Sequence, residues 1–237
     1  MKRLTEIVPP NNAYDILDIG TGDGHFIMTL SDLFPNASFT GVDPSEEAIS
    51  ESRKNFQTGK YTFHVMSSEK LDFEDHTFDI TTISNALHHL EYPDRSLQEM
   101  VRVTRPGGWI VISEIVADDL LPAQMVQKIF HHHRSHLDRL GGIYHRDTYN
   151  RQEIRELLLR SGLRPQYEFE YLRKAEVERD PAALESWIRK MELRQENAKA
   201  FPDHEVNLRK SVDEFSRMIY IHGFQPPPNM VLIMRNI

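Results

Sequence analysis

Three glycines alternate with other residues directly after a short apolar run near the start of the chain. The segment from Leu17 to Gly24 reads LDIGTGDG, with glycine at Gly20, Gly22 and Gly24. Because glycine has no Cβ, the backbone of such a turn can lie close to a ligand at the carboxyl end of a parallel strand. An isolated glycine turn is also compatible with a plain tight turn, so a second feature is needed to predict a ligand site.

A carboxylate at Asp43 supplies that second feature. It ends the next apolar run, about 20 residues after the glycine turn, where a carboxylate can accept hydrogen bonds from both hydroxyls of a ribose. The turn and Asp43 together predict a nucleotide-type cofactor at the ends of the first two strands. The dinucleotide fingerprint requires a further glycine at the position of His25, which disfavours a nicotinamide-dependent oxidoreductase.

Groups that can accept a proton follow the predicted fourth and fifth strands. His88 and His89 come soon after the fourth strand, and Glu114 ends the fifth. A nucleophilic oxygen or carbon must lose a proton, and a His, Asp or Glu within reach can accept it. We therefore take His88 and Glu114 as candidate catalytic residues, and we expect His89 to bond to backbone and shape the turn.

A third candidate catalytic residue, His145, lies in the later segment Tyr144–Asp147. This segment precedes a predicted helix and could close over a pocket. The alternative is that Arg146 and Asp147 only pair with each other at the surface.

Four of the 12 histidines lie at positions 131, 132, 133 and 136. His132 and His136 would be one turn apart on a helix, a spacing that can bind a metal ion. No third Asp, Glu or His ligand is spaced with them, and His133 lies on the apolar stripe of the helix. We therefore expect His133 to be packed and hydrogen-bonded in the core, and we predict no metal site.

The composition excludes several classes of protein. The chain has 237 residues, with 28 basic and 36 acidic side chains, a net charge of −8 and no cysteine. Without cysteine there are no disulfides, thiolate zinc sites or cysteine nucleophiles. No apolar run approaches the roughly 18 residues of a membrane span, and the apolar stretch before Asn11 is too short for a signal peptide. We expect a soluble, cytoplasmic protein whose acidic balance argues against a nucleic-acid partner.

Strands and helices must alternate to position these residues. Apolar runs and amphipathic stretches alternate from Tyr14 to about Ile115, which predicts an α/β fold with a parallel sheet. The predicted strands are 14–19, 38–42, 61–66, 78–84 and 109–114, and the predicted helices are 25–34, one that opens at Ser45, and 93–104, which Arg105-Pro106-Gly107-Gly108 closes.

The alternation stops after the fifth strand. Two helical insertions are predicted, at about 116–147 and 175–223, and we expect them to form a lid that excludes water and selects the substrate. Between them, Asn150 and Glu153 have the spacing of a capping box at the start of a helix. A strand at 165–172 and a last strand at 230–234 complete the predicted elements.

Four segments, in this order, resemble the class I S-adenosylmethionine-dependent methyltransferases, and within them the broad group of the ubiquinone and menaquinone biosynthesis methyltransferases. They are LDIGTGDG at 17–24, GVDPS at 41–45, SSEKLDF at 67–73 with FDITTISNALHHL at 78–90, and RVTRPGGWIVISE at 102–114. The resemblance implies a Rossmann-like, seven-stranded, mostly parallel sheet in a single domain over residues 1–237. Its last strand would lie antiparallel between the fifth and the sixth.

The resemblance also implies S-adenosylmethionine as the cofactor, S-adenosylhomocysteine as the product, and a set of cofactor-binding residues. Position 67 departs from the family, which usually has an Asp there, and serine accepts a bond from the adenine amine more weakly. The implied residues are Asp18, Gly20, Thr21, Gly22 and Gly24 for the methionine moiety, Asp43 for the ribose, Pro44, Ser67, Ser68 and Glu69 for the adenine, and Asn85 and Ala86 for the amino-acid group.

These features predict methyl transfer to an oxygen, nitrogen or carbon atom of a small organic molecule. Ser84–Leu87 lacks the Asn-Pro-Pro-Tyr type motif of the enzymes that methylate base amines, which disfavours DNA or RNA substrates. Two alternatives stay open: non-methyl chemistry with the same cofactor, and a non-catalytic module that binds a partner through the helical insertions. The sequence does not indicate the oligomeric state.

Overall fold

A seven-stranded sheet carries the residues of the glycine turn in the computed structural model, which describes residues 1–237. Its strands are β1 (Asp15–Ile19), β2 (Ser38–Asp43), β3 (Tyr61–Val65), β4 (Phe78–Ser84), β5 (Thr104–Ile115), β6 (Tyr167–Tyr171) and β7 (Asn229–Arg235). The helices are α1 (Arg3–Ile7), α2 (His25–Leu33), α3 (Glu46–Asn55), α4 (Pro93–Val103), α5 (Pro122–Leu140), α6 (Arg151–Arg160), α7 (Pro181–Ala198) and α8 (Pro202–His222), with a short 3-10 helix at Leu87–His89.

The strand order is β3-β2-β1-β4-β5-β7-β6. Neighbouring strands from β3 to β5 are parallel. The last strand runs the other way, because Gly107 N donates to Asn236 O while Val116 N donates to Pro228 O. The predicted sheet, with its last strand antiparallel between the fifth and the sixth, is therefore confirmed.

The central strands are buried on both faces, as helix-covered parallel sheets require. Ile16, Leu17 and Ile19 of β1 are buried, and β7 is buried from Asn229 to Met234. Since the side chains of a strand alternate between its faces, this continuous burial means that helices cover the sheet on both sides. The strands are therefore mainly apolar, and polar side chains are found chiefly at their ends.

β5 begins five residues earlier than predicted, at Thr104 rather than Trp109. Arg105-Pro106-Gly107-Gly108 has the composition of a turn, and it was expected only to close the preceding helix. In the structure Asn236, just after β7, pairs with this segment: its O accepts from Gly107 N and its N donates to Gly108 O. A partner more than 120 residues away in the sequence therefore extends the strand.

Local capping signals set the starts of two helices. Ser45 caps α3 through its Oγ, which accepts from Ala48 N at 3.2 Å. The predicted capping box of α6 is confirmed, because Asn150 Oδ1 accepts from Glu153 N at 2.8 Å and Glu153 Oε2 accepts from Asn150 N at 2.7 Å. α1 and the 3-10 helix were not predicted.

The chain forms two compact units. The sheet unit comprises Met1–Glu114, Ile154–Phe169 and Met230–Ile237, and the helical unit comprises Ile115–Glu153 and Glu170–Asn229. In the helical unit, α5, α7 and α8 share one apolar core that includes Val126, Met191 and Phe215. No helix in either unit has the length and apolar character needed to cross a membrane.

Candidate functional site

The glycine turn after β1 has a backbone that disfavours other residue types. Gly20, Gly22 and Gly24 have φ values of 66°, 57° and 84°. A Cβ on Gly20 would lie 2.6 Å from the Cβ of Ala86, whereas no atom lies within 4 Å of a Cβ placed on Gly22. The turn is therefore packed tightly against the end of β4 at Gly20 and faces open space at Gly22.

Asp43 holds this turn to the start of α3. Its Oδ2 accepts from Gly22 N at 3.0 Å, and its Oδ1 accepts from Ser45 N at 2.9 Å. Each carboxylate oxygen has a second lone pair and can accept a further bond from a ligand hydroxyl. The residue thus organises the turn and keeps acceptor capacity at the end of β2.

Asp18 is a buried carboxyl group inside the sheet unit. Its Oδ1 accepts from Thr82 Oγ1 at 2.6 Å, and only 1% of the residue is exposed. Burial raises the pKa of Asp18 to about 7, the hydrogen bonds from Thr82 and Thr21 act in the opposite direction, and the nearby charge of Asp43 raises it further. A cationic ligand group beside Asp18 would favour the ionised form.

The residues implied for the adenine lie between β2 and α4. Pro44 and Ser67 are exposed. Ser67 Oγ accepts from Glu69 N at 3.3 Å, and Ser68 Oγ bonds to Ser96 Oγ at 2.8 Å. The Ser68 side chain is therefore engaged inside the sheet unit, while the backbone and the Ser67 side chain stay at the surface.

Asn85 and Ala86 follow β4. Asn85 has a φ of 52°, a left-handed conformation that is uncommon for residues other than glycine, and its N donates to Ser113 O at 2.8 Å. Such strain concentrates at functional sites. The left-handed conformation of Asn85 turns the chain sharply between β4 and the 3-10 helix.

The polar groups present fit the implied cofactor. The Thr21 side chain is buried, and its interaction with Asp18 opposes the effect of burial on the pKa of that carboxyl group. No atom lies within 4 Å of a Cβ placed on Gly22, so the turn leaves room for a ligand there. The acceptors Asp18 and Asp43 add the groups that an ammonium and a ribose need.

His88 and Glu114 form a buried pair at the ends of β4 and β5. Glu114 Oε1 lies 2.9 Å from His88 Nδ1, and Glu114 Oε2 accepts from Leu87 N at 2.9 Å. Both residues are almost completely buried. His89 is exposed, its N donates to Ala86 O at 3.0 Å, and its ring lies 4.4 Å from that of His88.

His145 is completely buried in the helical unit. Its Nδ1 lies 2.6 Å from Asp138 Oδ2, and its Nε2 lies 3.2 Å from His131 Nε2. No sequence pattern predicts this chain of three groups, because Asp138 is indistinguishable from the other polar residues of an amphipathic helix. The assignment of His145 as a catalytic residue stays a prediction.

Arg146 and Asp147 do contact each other, but through the backbone, because Arg146 Nε donates to Asp147 O at 3.1 Å. The Arg146 side chain also donates to Glu153 Oε1 at 3.0 Å and lies over the ring of Tyr149. The carboxylate of Asp147 accepts from Ser135 Oγ at 2.6 Å and from Arg139 at 3.2 Å. The charged partners of both side chains therefore come from the adjacent helices α5 and α6.

The expectation for His133 is confirmed. It is buried in the helical unit, and its Nδ1 lies 2.7 Å from Ser211 Oγ. Sequence reasoning missed two polar partners, Ser211 and Thr82. Thr82 had a visible signal, since it interrupts the apolar run of β4 next to Thr81.

Comparison with known proteins identifies the family. Residues 10–159 match the family model described as a methyltransferase domain. A ubiquinone/menaquinone biosynthesis C-methyltransferase of Desulfotalea psychrophila is 32% identical over 96 residues, which cover 40% of this chain and 39% of the relative. The matches span only about two fifths to a half of the length of the curated relatives.

Solved structures share the fold over almost the whole chain. A candidate methyltransferase of Bacillus halodurans superposes with a TM-score of 0.65 at 15% identity, covering 99% of this chain and 97% of that one. A phosphoethanolamine N-methyltransferase of Haemonchus contortus, in complex with phosphomonomethylethanolamine and S-adenosylhomocysteine, gives a TM-score of 0.56 at 16% identity and covers 97% of this chain and 50% of that one. The chain thus belongs to the methyltransferase domain family and has the class I fold of the S-adenosylmethionine-dependent methyltransferases.

Proposed function

We propose that the protein methylates an oxygen, nitrogen or carbon atom of a small organic molecule whose nucleophilic atom gives up a proton to His88. The observation that carries this proposal is the buried His88–Glu114 pair at the carboxyl ends of β4 and β5. In open α/β sheets this edge is where ligands bind. S-Adenosylmethionine, when bound, supplies a methyl group on a sulfonium, from which the leaving thioether departs readily.

Glu114 suits the role of the group that orients His88. One of its oxygens is occupied by Leu87 N, and the other faces His88 Nδ1. A carboxylate at Nδ1 favours the tautomer with its hydrogen there, which makes Nε2 the basic atom of the ring. His88 Nε2 then accepts the proton of the nucleophile as the new bond to the methyl group forms.

The cofactor-binding assignments are part of the proposal. Asp18, Thr21 and the backbone from Gly20 to Gly24 would hold the methionine moiety, and Asp43 the ribose. The open space at Gly22 and the acceptor capacity of Asp43 support these roles. Pro44 and Ser67–Glu69 would border the adenine, and Asn85 and Ala86 the amino-acid group.

The substrate class rests on charge and motif. The net charge of −8 disfavours binding to a polyanion, and Ser84–Leu87 lacks the motif of the enzymes that methylate base amines. A small molecule is therefore the proposed acceptor, and a cytoplasmic location is proposed with it. The role of the helical insertions as a lid stays a proposal.

The test begins with a screen of small acceptors that measures S-adenosylhomocysteine as the product. With an active acceptor, His88→Ala should lower kcat by about 100- to 10,000-fold, the usual contribution of a general base, and leave the affinity for S-adenosylhomocysteine unchanged. His89→Ala is the matched control, because its ring is exposed beside His88, and it should change kcat by less than about fivefold.

Two results would contradict the proposal. If His88→Ala keeps the kcat of the wild type, His88 does not take the proton. If the cofactor is consumed without formation of S-adenosylhomocysteine, the chemistry is not methyl transfer.

A further inference from the structure

The chain between β3 and β4 forms no helix or strand, and it contains the residues proposed to border the adenine. One end of this segment is fixed, because Met66 N donates to Asp43 O at 3.0 Å. Ser67–Glu69 follows, and Lys70 N donates to Ser67 O at 3.4 Å, which closes a turn. The position of this turn therefore also depends on what holds the chain after it.

Glu99 and Arg102 of α4 hold both backbone groups of Leu71, the residue directly after the turn. Glu99 Oε2 accepts from Leu71 N at 2.7 Å, and Arg102 Nη2 donates to Leu71 O at 2.8 Å. The two side chains also bind each other, since Arg102 Nε donates to Glu99 Oε1 at 2.8 Å and Nη2 to Glu99 Oε2 at 2.7 Å. Such a bidentate pair has a defined geometry, because the planar guanidinium matches the carboxylate.

Arg102 binds two further points of the segment. Its Nη1 donates to Phe73 O and to Asp75 Oδ1, both at 2.8 Å. The hydrogen bonds from Arg102 hold the pKa of Glu99 below its ordinary value, so the pair is ionised at neutral pH. One guanidinium thus ties the backbone at Leu71 and Phe73 to α4.

Ser68 lies inside the turn and has a backbone donor that the protein does not use. Its hydroxyl bonds to Ser96 Oγ of α4 at 2.8 Å, but no group of the protein accepts from Ser68 N. N1 of an adenine is an acceptor for such a donor, whereas N1 of a hypoxanthine carries a hydrogen and cannot accept. A correctly placed Ser68 N would therefore distinguish the two bases.

We propose that the Glu99–Arg102 pair determines the preference of the cofactor site for adenine, because it positions the turn that carries Ser68 N. Both are positioning residues that act through the backbone of Leu71, three residues after Ser68. This inference rests on the proposed cofactor site and adds to it a determinant of base specificity.

The test compares S-adenosylhomocysteine with S-inosylhomocysteine, in which hypoxanthine replaces adenine, by calorimetric titration of the full-length protein. The wild type should bind S-adenosylhomocysteine about 10- to 100-fold more tightly, because hypoxanthine leaves Ser68 N without an acceptor. Arg102→Met should reduce this preference to less than about threefold, and S-inosylhomocysteine should bind the variant within about twofold of its wild-type affinity. A purely structural loss would instead weaken both ligands by the same factor.

A second variant and a matched control accompany Arg102→Met. Glu99→Leu removes the acceptor for Leu71 N and the partner of Arg102, and it should lose the preference in the same way. Arg105→Met removes a comparable ion pair, in which Arg105 Nη1 donates to Asp79 Oδ1 at 2.6 Å. Since that pair lies where β4 and β5 begin, at the opposite end of the strands, the preference for adenine should persist.

The outcomes separate this inference from the proposed function. A folded wild type that does not bind S-adenosylhomocysteine would contradict the cofactor site itself. If the wild type binds it, three results would overturn the positioning role alone: equal affinities of the wild type for the two compounds, an unchanged preference in a folded Arg102→Met or Glu99→Leu variant, or an equal loss of affinity for both compounds.

Discussion

Asp18 combines two properties that oppose each other, a carboxyl group and almost complete burial. Its pKa of about 7 lies far above the ordinary value of an aspartic acid, mainly because burial penalises the charged form. In the unfolded chain the same group titrates near its ordinary value. Between about pH 4 and pH 7 the folded protein therefore holds one more proton than the unfolded chain at this position, and the free energy of unfolding falls as the pH rises.

Asp18→Asn should remove this pH dependence. A shift of about three pKa units corresponds to about 4 kcal/mol, so the variant should gain up to that amount at pH 8 and almost nothing at pH 4. Thermal melts of the cofactor-free protein at both pH values measure it, and several degrees of stabilisation are expected at pH 8 alone. The same variant should bind S-adenosylhomocysteine more weakly. A melting temperature at pH 8 that equals or falls below that of the wild type would show that the buried charge is not destabilising.

The glycine turn offers a second comparison at the scale of single residues. Gly20 and Gly22 both have positive φ, but only a Cβ on Gly20 would collide with Ala86. Gly22→Ala should cost about 1–2 kcal/mol from the backbone conformation, and Gly20→Ala about 1–3 kcal/mol more from the clash. Urea unfolding of both variants measures the difference. Equal losses in the two variants would mean that the turn can move away from β4.

The hydrogen-bond partner of a side chain could be predicted from the sequence where the two residues are close neighbours in the chain. The capping pair of Asn150 and Glu153 lies within one helical turn, and it is present as expected. The partners of Asp18 and His145 could not be predicted, because Thr82 and Asp138 meet them only through the fold. The partners of the Asp147 carboxylate could not be predicted for the same reason, since Ser135 and Arg139 approach it from α5.

At the scale of elements, the capping box of α6 gives a quantitative prediction. Asn150→Ala removes the acceptor for Glu153 N and should lower the free energy of unfolding by about 1 kcal/mol. Asn150→Asp keeps an acceptor at the same place and should be within a few tenths of a kcal/mol of the wild type. Chemical denaturation of the three proteins checks this. The contribution of the cap would be refuted if the Ala and Asp variants proved equally stable.

Strand order was predictable because alternating strands and helices leave few topologies, and the resemblance of four segments selected one of them. The start of β5 was not predictable, because Pro106 and two glycines have the composition of a turn. Asn236 makes this segment a strand from the other end of the chain. No short window of the sequence around this segment indicates that Asn236 pairs with it.

At the scale of the whole molecule, the chain passes between its two units four times. The predicted insertions at 116–147 and 175–223 lie inside the segments that make up the helical unit, Ile115–Glu153 and Glu170–Asn229. Amphipathic periodicity indicated the helices α5, α7 and α8, but it could not indicate that they share a core. The shared core depends on which helix faces meet.

We propose that the carboxyl ends of β1 and β2 bind the cofactor through the glycine turn and Asp43. Calorimetric titration of the wild type, Asp43→Ala and Asp32→Ala with S-adenosylhomocysteine tests it most directly. Asp32 is an exposed carboxylate on α2 and serves as the matched control. Asp43→Ala should lose about one to two orders of magnitude in affinity, roughly 1.5–3 kcal/mol for the lost charged hydrogen bonds, while Asp32→Ala should bind like the wild type. A folded Asp43→Ala protein with the affinity of the wild type would contradict it.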